Sequence, residues 1–207
     1  MWRIARIMGI GTVLIACVLS ATAVFSEDLP PPRLRGTLDQ VSGNTLTIKA
    51  QSGTPTTVQL KDGAPVIAAV KGSMSDIQDN SFVGITAMAQ PDGTIKAVEV
   101  HVFAEPLRGT AEGHYPWDLM PNSTMTNAAV TQQVKKAEAN TLTLKYKDGE
   151  KTIVVPSDAT VVNLIPGEPA DLKPGSKIFI PRWEKRADGT WEAAVALVGR
   201  DGLTPPM

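Results

Sequence analysis

A single cysteine, Cys17, is all the thiol chemistry this 207-residue chain possesses. One cysteine cannot close an intrachain disulfide or build a thiolate metal site, so stability must come from packing. Aromatic residues make up only 5% of the chain, which leaves Val, Ile, Leu and Ala to form any core. Charge of one sign is missing as well: 20 basic residues face 21 acidic ones. Phosphate backbones are bound by basic faces that release counterions, so nucleic acid is not an expected partner. Beyond residue 26 no apolar run approaches the length of a membrane-spanning helix, about 20 residues. The chain also lacks a G-x-S-x-G nucleophile elbow, an H-E-x-x-H helix and a phosphate-binding glycine loop.

What is present begins with an export signal. Trp2-Arg3-Ile4-Ala5-Arg6 is a short basic region, and residues 7–25 follow without a charge and end in small side chains. Cleavage is expected after Ser26, with Ala23 as the other candidate point. Two further readings stand beside it. The run could stay uncleaved as an anchor, the only route to a membrane, although Gly9, Gly11, Thr12, Ser20 and Thr22 make it a poor span. Leu14-Ile15-Ala16-Cys17 also resembles a bacterial lipobox, although Val18 and Leu19 prolong the apolar run past the cysteine. A periplasmic or secreted location follows. Removal of Arg3 and Arg6 leaves 18 basic and 21 acidic residues, a net charge of −3.

The rest of the chain reads as β-structure. From residue 34 onward, short runs such as GNTLTIKA, TTVQL, FVGITAMA and TIKAVEVHVF alternate with Ser-Gly, Asp-Gly and Pro-Asp-Gly turns. In the last run Val98, Val100 and Val102 share one face, and Glu99, His101 and Phe103 share the other. One helical turn is predicted at residues 73–77, with Ser73 as N-cap and Asp76 near its start. The second half then repeats the first. GNTLTIKA (43–50) returns as ANTLTLKY (139–146), MSDIQDNSFVGI (74–85) as PADLKPGSKIFI (169–180), and PDGTIKAVEV (91–100) as ADGTWEAAVA (187–196). Matched pieces lie 95 or 96 positions apart, in order, as an internal duplication requires.

This pattern predicts an all-β protein made of two tandem small β-barrel, OB-like repeats joined by an ordered irregular strap. The expected divisions are a signal peptide at 1–26, a proline-rich lead-in at 27–33, repeat 1 at 34–104, the strap at 105–131, repeat 2 at 132–202 and a tail at 203–207. Pro106, Pro116 and Pro121 exclude a regular element through the strap. Tyr115, Trp117, Leu119 and Met120 give it apolar anchors that a solvated linker would lack.

The frame RGTLDQVSGNTLTIKA…PDGTIKAVEVHVF…RGTAEGHYPWDLMPNSTMTN…LTLKYKDGEKTIVVP…DLKPGSKIFI…VGRDG resembles a family of uncharacterised exported proteins of alphaproteobacteria, over nearly all of the chain after the signal segment. Its repeats are similar to the domain of unknown function called DUF5666, which implies a small β-barrel. Such proteins sometimes carry the label of metal transporter permease, which the missing apolar spans contradict. The resemblance supplies no catalytic residues.

Function is therefore sought where reactive side chains crowd. The strap and its edge hold both histidines, and Arg108, Glu112, His114, Tyr115, Trp117 and Asp118 form the candidate binding surface. Its expected partner is an envelope protein, peptide or glycan, bound without catalysis and without a cofactor. Aromatic help could come from Trp183 and Trp191, although both also fit ordinary strand positions. As an alternative, His101, Glu105, His114 and Asp118 are residue types that a divalent metal such as zinc accepts. Pro116 denies His114 and Asp118 the helix their four-residue spacing would need, and His101 could as well lie on the polar surface of its strand. A second alternative is hydrolysis by the carboxylates Glu105, Glu112 and Asp118, against which an ion pair of Glu112 with Arg108 must be weighed.

Overall fold

A computed structural model describes residues 33–135 and 139–207. The signal segment, Cys17 and residues 27–32 of the lead-in lie outside the described residues. Within them the chain is all-β, with fifteen strands and three 3-10 turns. The strands are β1 (Leu34–Ser42), β2 (Thr45–Ala50), β3 (Pro55–Leu60), β4 (Val66–Lys71), β5 (Phe82–Ala89), β6 (Ile95–Phe103), β7 (Gly113–Pro116) and β8 (Thr124–Val134). They continue with β9 (Ala139–Tyr146), β10 (Gly149–Pro156), β11 (Thr160–Pro166), β12 (Lys177–Ile180), β13 (Trp183–Lys185), β14 (Trp191–Ala193) and β15 (Ala196–Gly199).

Turn chemistry fixes the hairpins. Gly93 and Gly189 have positive φ at the tips of β5–β6 and β13–β14, a region closed to most side chains. Beside each, an Asp accepts from the Thr hydroxyl two residues on: Asp92 from Thr94 at 2.7 Å and Asp188 from Thr190 at 2.6 Å. The predicted helical turn is a 3-10 turn, Met74–Asp76, with Ser73 as its N-cap. Its counterpart, Pro169–Asp171, lies 95 positions on, as the repeat requires.

β5, β8, β9, β10 and β6 form a closed five-stranded barrel. Four antiparallel contacts run round it, and a parallel contact between β10 and β6, Val154 opposite Lys96, shuts the seam. Its interior is aliphatic, with Ile85, Val100, Leu142, Leu144 and Ile153 fully buried. Burying each such side chain stabilises the fold by about 1.5–3 kcal/mol.

The barrel does not follow the sequence repeat. It combines the meander β8–β9–β10 of the second half with the hairpin β5–β6 of the first. Reciprocally, β1–β2–β3 of the first half pairs with β12 through β1 and with β14 through β3, both from the second half. Leu38, Leu46, Ile48, Val58, Ile178 and Val198 form the core there. Each contact has its equivalent: β5 with β8 matches β12 with β1, and β6 with β11 matches β15 with β4. At the centre β4 and β11 pair with each other, in a register where Lys71 faces Val162 and Ile67 faces Pro166. Shifting both residues of either pair by 95 positions returns the other pair, so the two halves meet about a local two-fold.

The strap is shorter than 105–131. Residues 124–134 are β8, a stave of the barrel. Met125, Ala128 and Val130 are buried on it, but Thr124, Asn127 and the glutamines blur the period-2 signal that marks the other strands.

Candidate functional site

Residues 105–123 cross the molecule as an ordered band of one 3-10 turn, Glu105–Leu107, and the short strand β7 paired with β8. Arg108 forks onto Glu105 through Nε at 2.7 Å and Nη2 at 2.9 Å, and donates to the Asn80 carbonyl. The expected pair of Arg108 with Glu112 is not formed, because residues three apart on a 3-10 turn face each other. Glu112 instead accepts from the backbone N–H of Lys147 at 3.0 Å. Hydrogen bonding and the charge of Arg108 hold the exposed Glu105 carboxyl below the usual range.

Further along, His114 Nδ1 lies 2.8 Å from Thr126 Oγ1 and its ring stacks near Tyr146. Burial, and then the charge of Lys151, lower its pKa. Tyr115 accepts from Asn127 Nδ2 at 3.2 Å, and burial raises its hydroxyl pKa. Trp117 packs against Phe179 and Tyr115 under the guanidinium of Arg33, 3.7 Å from the ring centre. Asp118 pairs with Arg35 at 2.7 Å and Arg33 at 3.3 Å. Burial opposes its ionisation, but the hydrogen bond and charge of Arg35, with the charge of Arg33, outweigh that and lower its pKa. The six predicted binding residues are thus engaged with the fold itself. Tyr115 and Trp117 are half-buried, with Trp117 packed against the apolar cluster around Phe179.

The four candidate metal ligands are not gathered. His101 is buried at 2% exposure beside Glu99, Glu105 with Arg108, His114 with Thr126, and Asp118 with two arginines. No group of three or more metal-ligating side chains occurs among the described residues. The carboxylates Glu105, Glu112 and Asp118 likewise each have a separate partner.

The polar face of β6, the alternative place for His101, is buried at Glu99 and His101. On that face the His101 ring meets the Phe103 ring edge-on, 4.9 Å between centres, with Val162 of β11 beside it in the sheet. Glu99 accepts from Thr86 Oγ1 at 2.6 Å and lies 3.3 Å from His101 Nδ1. Gly84 makes the room: a Cβ there would stand 1.8 Å from His101 Nε2 and 2.4 Å from Asn127 Oδ1. Asn127 in turn reaches the Thr110 carbonyl and Tyr115, which ties this polar cluster to the strap. A buried polar group needs such partners, since leaving one unmade costs about 1–3 kcal/mol.

The open ground lies elsewhere, along β1, β2 and β3. The parallel contact of β14 with β3 covers only Glu192 opposite Gln59 and Ala193 opposite Leu60. Beyond it the strands diverge, leaving a cleft of about 580 Å³ lined by Thr45, Thr56, Thr57, Gln59, Trp183 and Trp191. The two indole rings meet at 4.4 Å between centres and 44° between planes, with their inner edges on the core. A second cleft of about 370 Å³ shares Thr56 and Trp183 with the first and is lined also by Arg33, Arg35, Ala50 and Gln51. A third of about 320 Å³ shares Arg35, Ala50 and Gln51 with the second and is lined also by Thr37, Lys49 and Lys177. Sequence reasoning gave little weight to this groove. Its signals, besides the two tryptophans, are the polar outward positions of β2 and β3, Thr45, Thr47, Lys49, Thr57 and Gln59.

No protein-family model, curated protein or solved structure matches the chain.

Proposed function

We propose that the protein is an exported, non-catalytic β-barrel module that binds a component of the bacterial envelope, through two duplicated OB-like units that have traded their C-terminal hairpins. One observation carries the binding reading: a row of three neighbouring clefts along β1–β3 that share lining residues, where two indoles, several hydroxyls and an amide converge on open space. Binding sites combine apolar ring surface with a few convergent polar groups, and tryptophan is enriched where binding energy concentrates. The strap residues support this surface from behind, with Asp118 holding Arg33 and Arg35 at its margin. The basic and apolar segment at residues 1–25 supports export.

Co-sedimentation of the full chain with isolated bacterial envelopes tests the reading. Saturable pelleting, reduced by Trp183→Ala in a protein that keeps its melting temperature, is expected. A full chain that stays in the supernatant at every envelope concentration overturns it.

A further inference from the structure

We propose that the groove is a site for an acidic glycan, a chain of pyranose units bearing carboxylates, with the indoles receiving ring faces and the cationic end receiving the acid groups. The proposal rests on the binding-module reading and names the ligand class for it.

The aromatic end dictates what can lie there. Trp183 and Trp191 form an angled corner flanked by Thr45, Thr54, Thr56, Thr57, Thr190 and Gln59. An indole face carries the negative end of the ring quadrupole, which suits the C–H-rich face of a pyranose. Hydroxyls and one amide around it can both donate and accept, as a polyhydroxylated ligand requires. No charged side chain lines this cleft. Lys185 stands 5.8 Å over the Trp191 ring from outside the cleft and leaves its lining neutral.

Toward the other end the lining changes sign. Arg33, Arg35, Lys49 and Lys177 line the second and third clefts, and no Asp or Glu is among the lining residues of either. Asp118 pairs with both arginines from behind and Arg35 Nε also donates to the Met207 oxygen, so the uncompensated charge rests mainly on Lys49 and Lys177, the latter donating to Thr37 Oγ1 at 2.9 Å. Lys49 is exposed on β2. A local excess of positive charge thus stands in a chain whose overall charge is −1, and its complement is an anionic ligand. The site is elongated: from Lys49 to Thr45 along β2 is about 13 Å. Trp183 and Thr56 border both the neutral and the cationic stretch, so one ligand can engage both. The threonine rim favours sugar hydroxyls over an acidic peptide, and the acidic overall balance disfavours a nucleic acid strand.

Titration of the full chain with tetragalacturonate, followed by tryptophan fluorescence and calorimetry, tests the assignment. Saturable binding with a change in indole emission is expected, weakening with salt as the Debye length shrinks from about 10 Å at 0.1 M. Trp183→Ala should weaken it about tenfold and Trp183→Phe less. The pair Lys49→Gln and Lys177→Gln should weaken the uronate about tenfold while leaving neutral xylotetraose unaffected. Circular dichroism and melting temperature establish that each variant is folded. Failure to bind any uronate oligomer, in a protein that still pellets with envelopes, overturns the glycan assignment while the binding-module reading stands. Uronate binding indifferent to both the tryptophan and the lysine variants overturns the groove as its site. Tighter binding of an acidic hexapeptide or of oligothymidylate than of the uronate replaces the ligand class.

Discussion

The two halves place the same four-strand row on their facing surfaces and fill it with opposite chemistry. In one, Asn127, Gly84, His101 and Val162 stand side by side across β8, β5, β6 and β11. In the other, Arg35, Phe179, Leu197 and Ile67 occupy the matched places across β1, β12, β15 and β4. The phenyl ring of Phe179 sits where Gly84 leaves a gap, and Leu197 where His101 fills one. Phe179, Leu197, Ile67 and Val162 share one apolar cluster, while Glu99, His101 and Thr86 sit beside it as a polar island. One backbone scheme therefore tolerates either filling, but the polar one needs a roof. The strap provides it, through the Thr110 carbonyl and Tyr115 on Asn127.

The contrast can be broken most forcefully at Gly84. Gly84→Ala drives a methyl group into His101 Nε2 and Asn127 Oδ1, and is expected to destabilise by about 3 kcal/mol, read from urea unfolding. Conversion of the polar island toward its counterpart comes next. Glu99→Val alone leaves the Thr86 hydroxyl and the His101 ring without their carboxylate and should cost about 2 kcal/mol. Adding His101→Leu, after Val195 and Leu197 of the other half, should recover about 1 kcal/mol in a double-mutant cycle. Additive losses would mean that the pair is not energetically coupled.

A smaller difference separates the two matched 3-10 turns, Met74–Asp76 and Pro169–Asp171. Asp171 accepts from Arg200 through both oxygens and from the Glu168 N–H, and the Arg200 hydrogen bonds lead in holding its pKa at about 2. Asp76 accepts from Asn163 and the Ser73 N–H, and its pKa is lowered without a cation. Depressed folded-state values stabilise above the unfolded pKa, and the gain disappears as pH falls through the folded one. Asp171→Asn should therefore lower the melting temperature by about 3 °C at pH 6, with the gap closing from pH 4 to pH 2. The matched Asp76→Asn should lower it less. Smallest of all, His114 has its pKa lowered by burial, so its neutral form is the one the fold favours. Stability should slip as pH falls below about 6.5, and His114→Gln should flatten that slope between pH 7 and pH 5.

Alternation and turn residues made the strands and the Ser73 turn legible in the sequence. Edge partners were not legible. Period-2 patterning says which residues of β5 and β6 point inward, but hairpins of equal length and pattern fit either meander, so the crossing of the halves left no mark. The same limit hid the fate of His101. Alternation sets it opposite Val100, yet whether that face meets water depends on β11 and the strap, which lie far off in sequence. Arg108 took Glu105 because local turn geometry outranks mere proximity along a loop. Trp183 and Trp191 were visible as ring surface. Their meeting with Thr56 and Arg35 was not, since it arises where β3 and β14 part after two residues of contact.

The traded hairpins carry a mechanical consequence. Among the described residues, neither meander finishes its set of strands from its own half, so the two halves are expected to melt together. A protease nick between residues 104 and 113 would leave two fragments held together by the strand pairs that cross between the halves, and these should part only in denaturant. Such a protein should persist whole where single-barrel neighbours are trimmed.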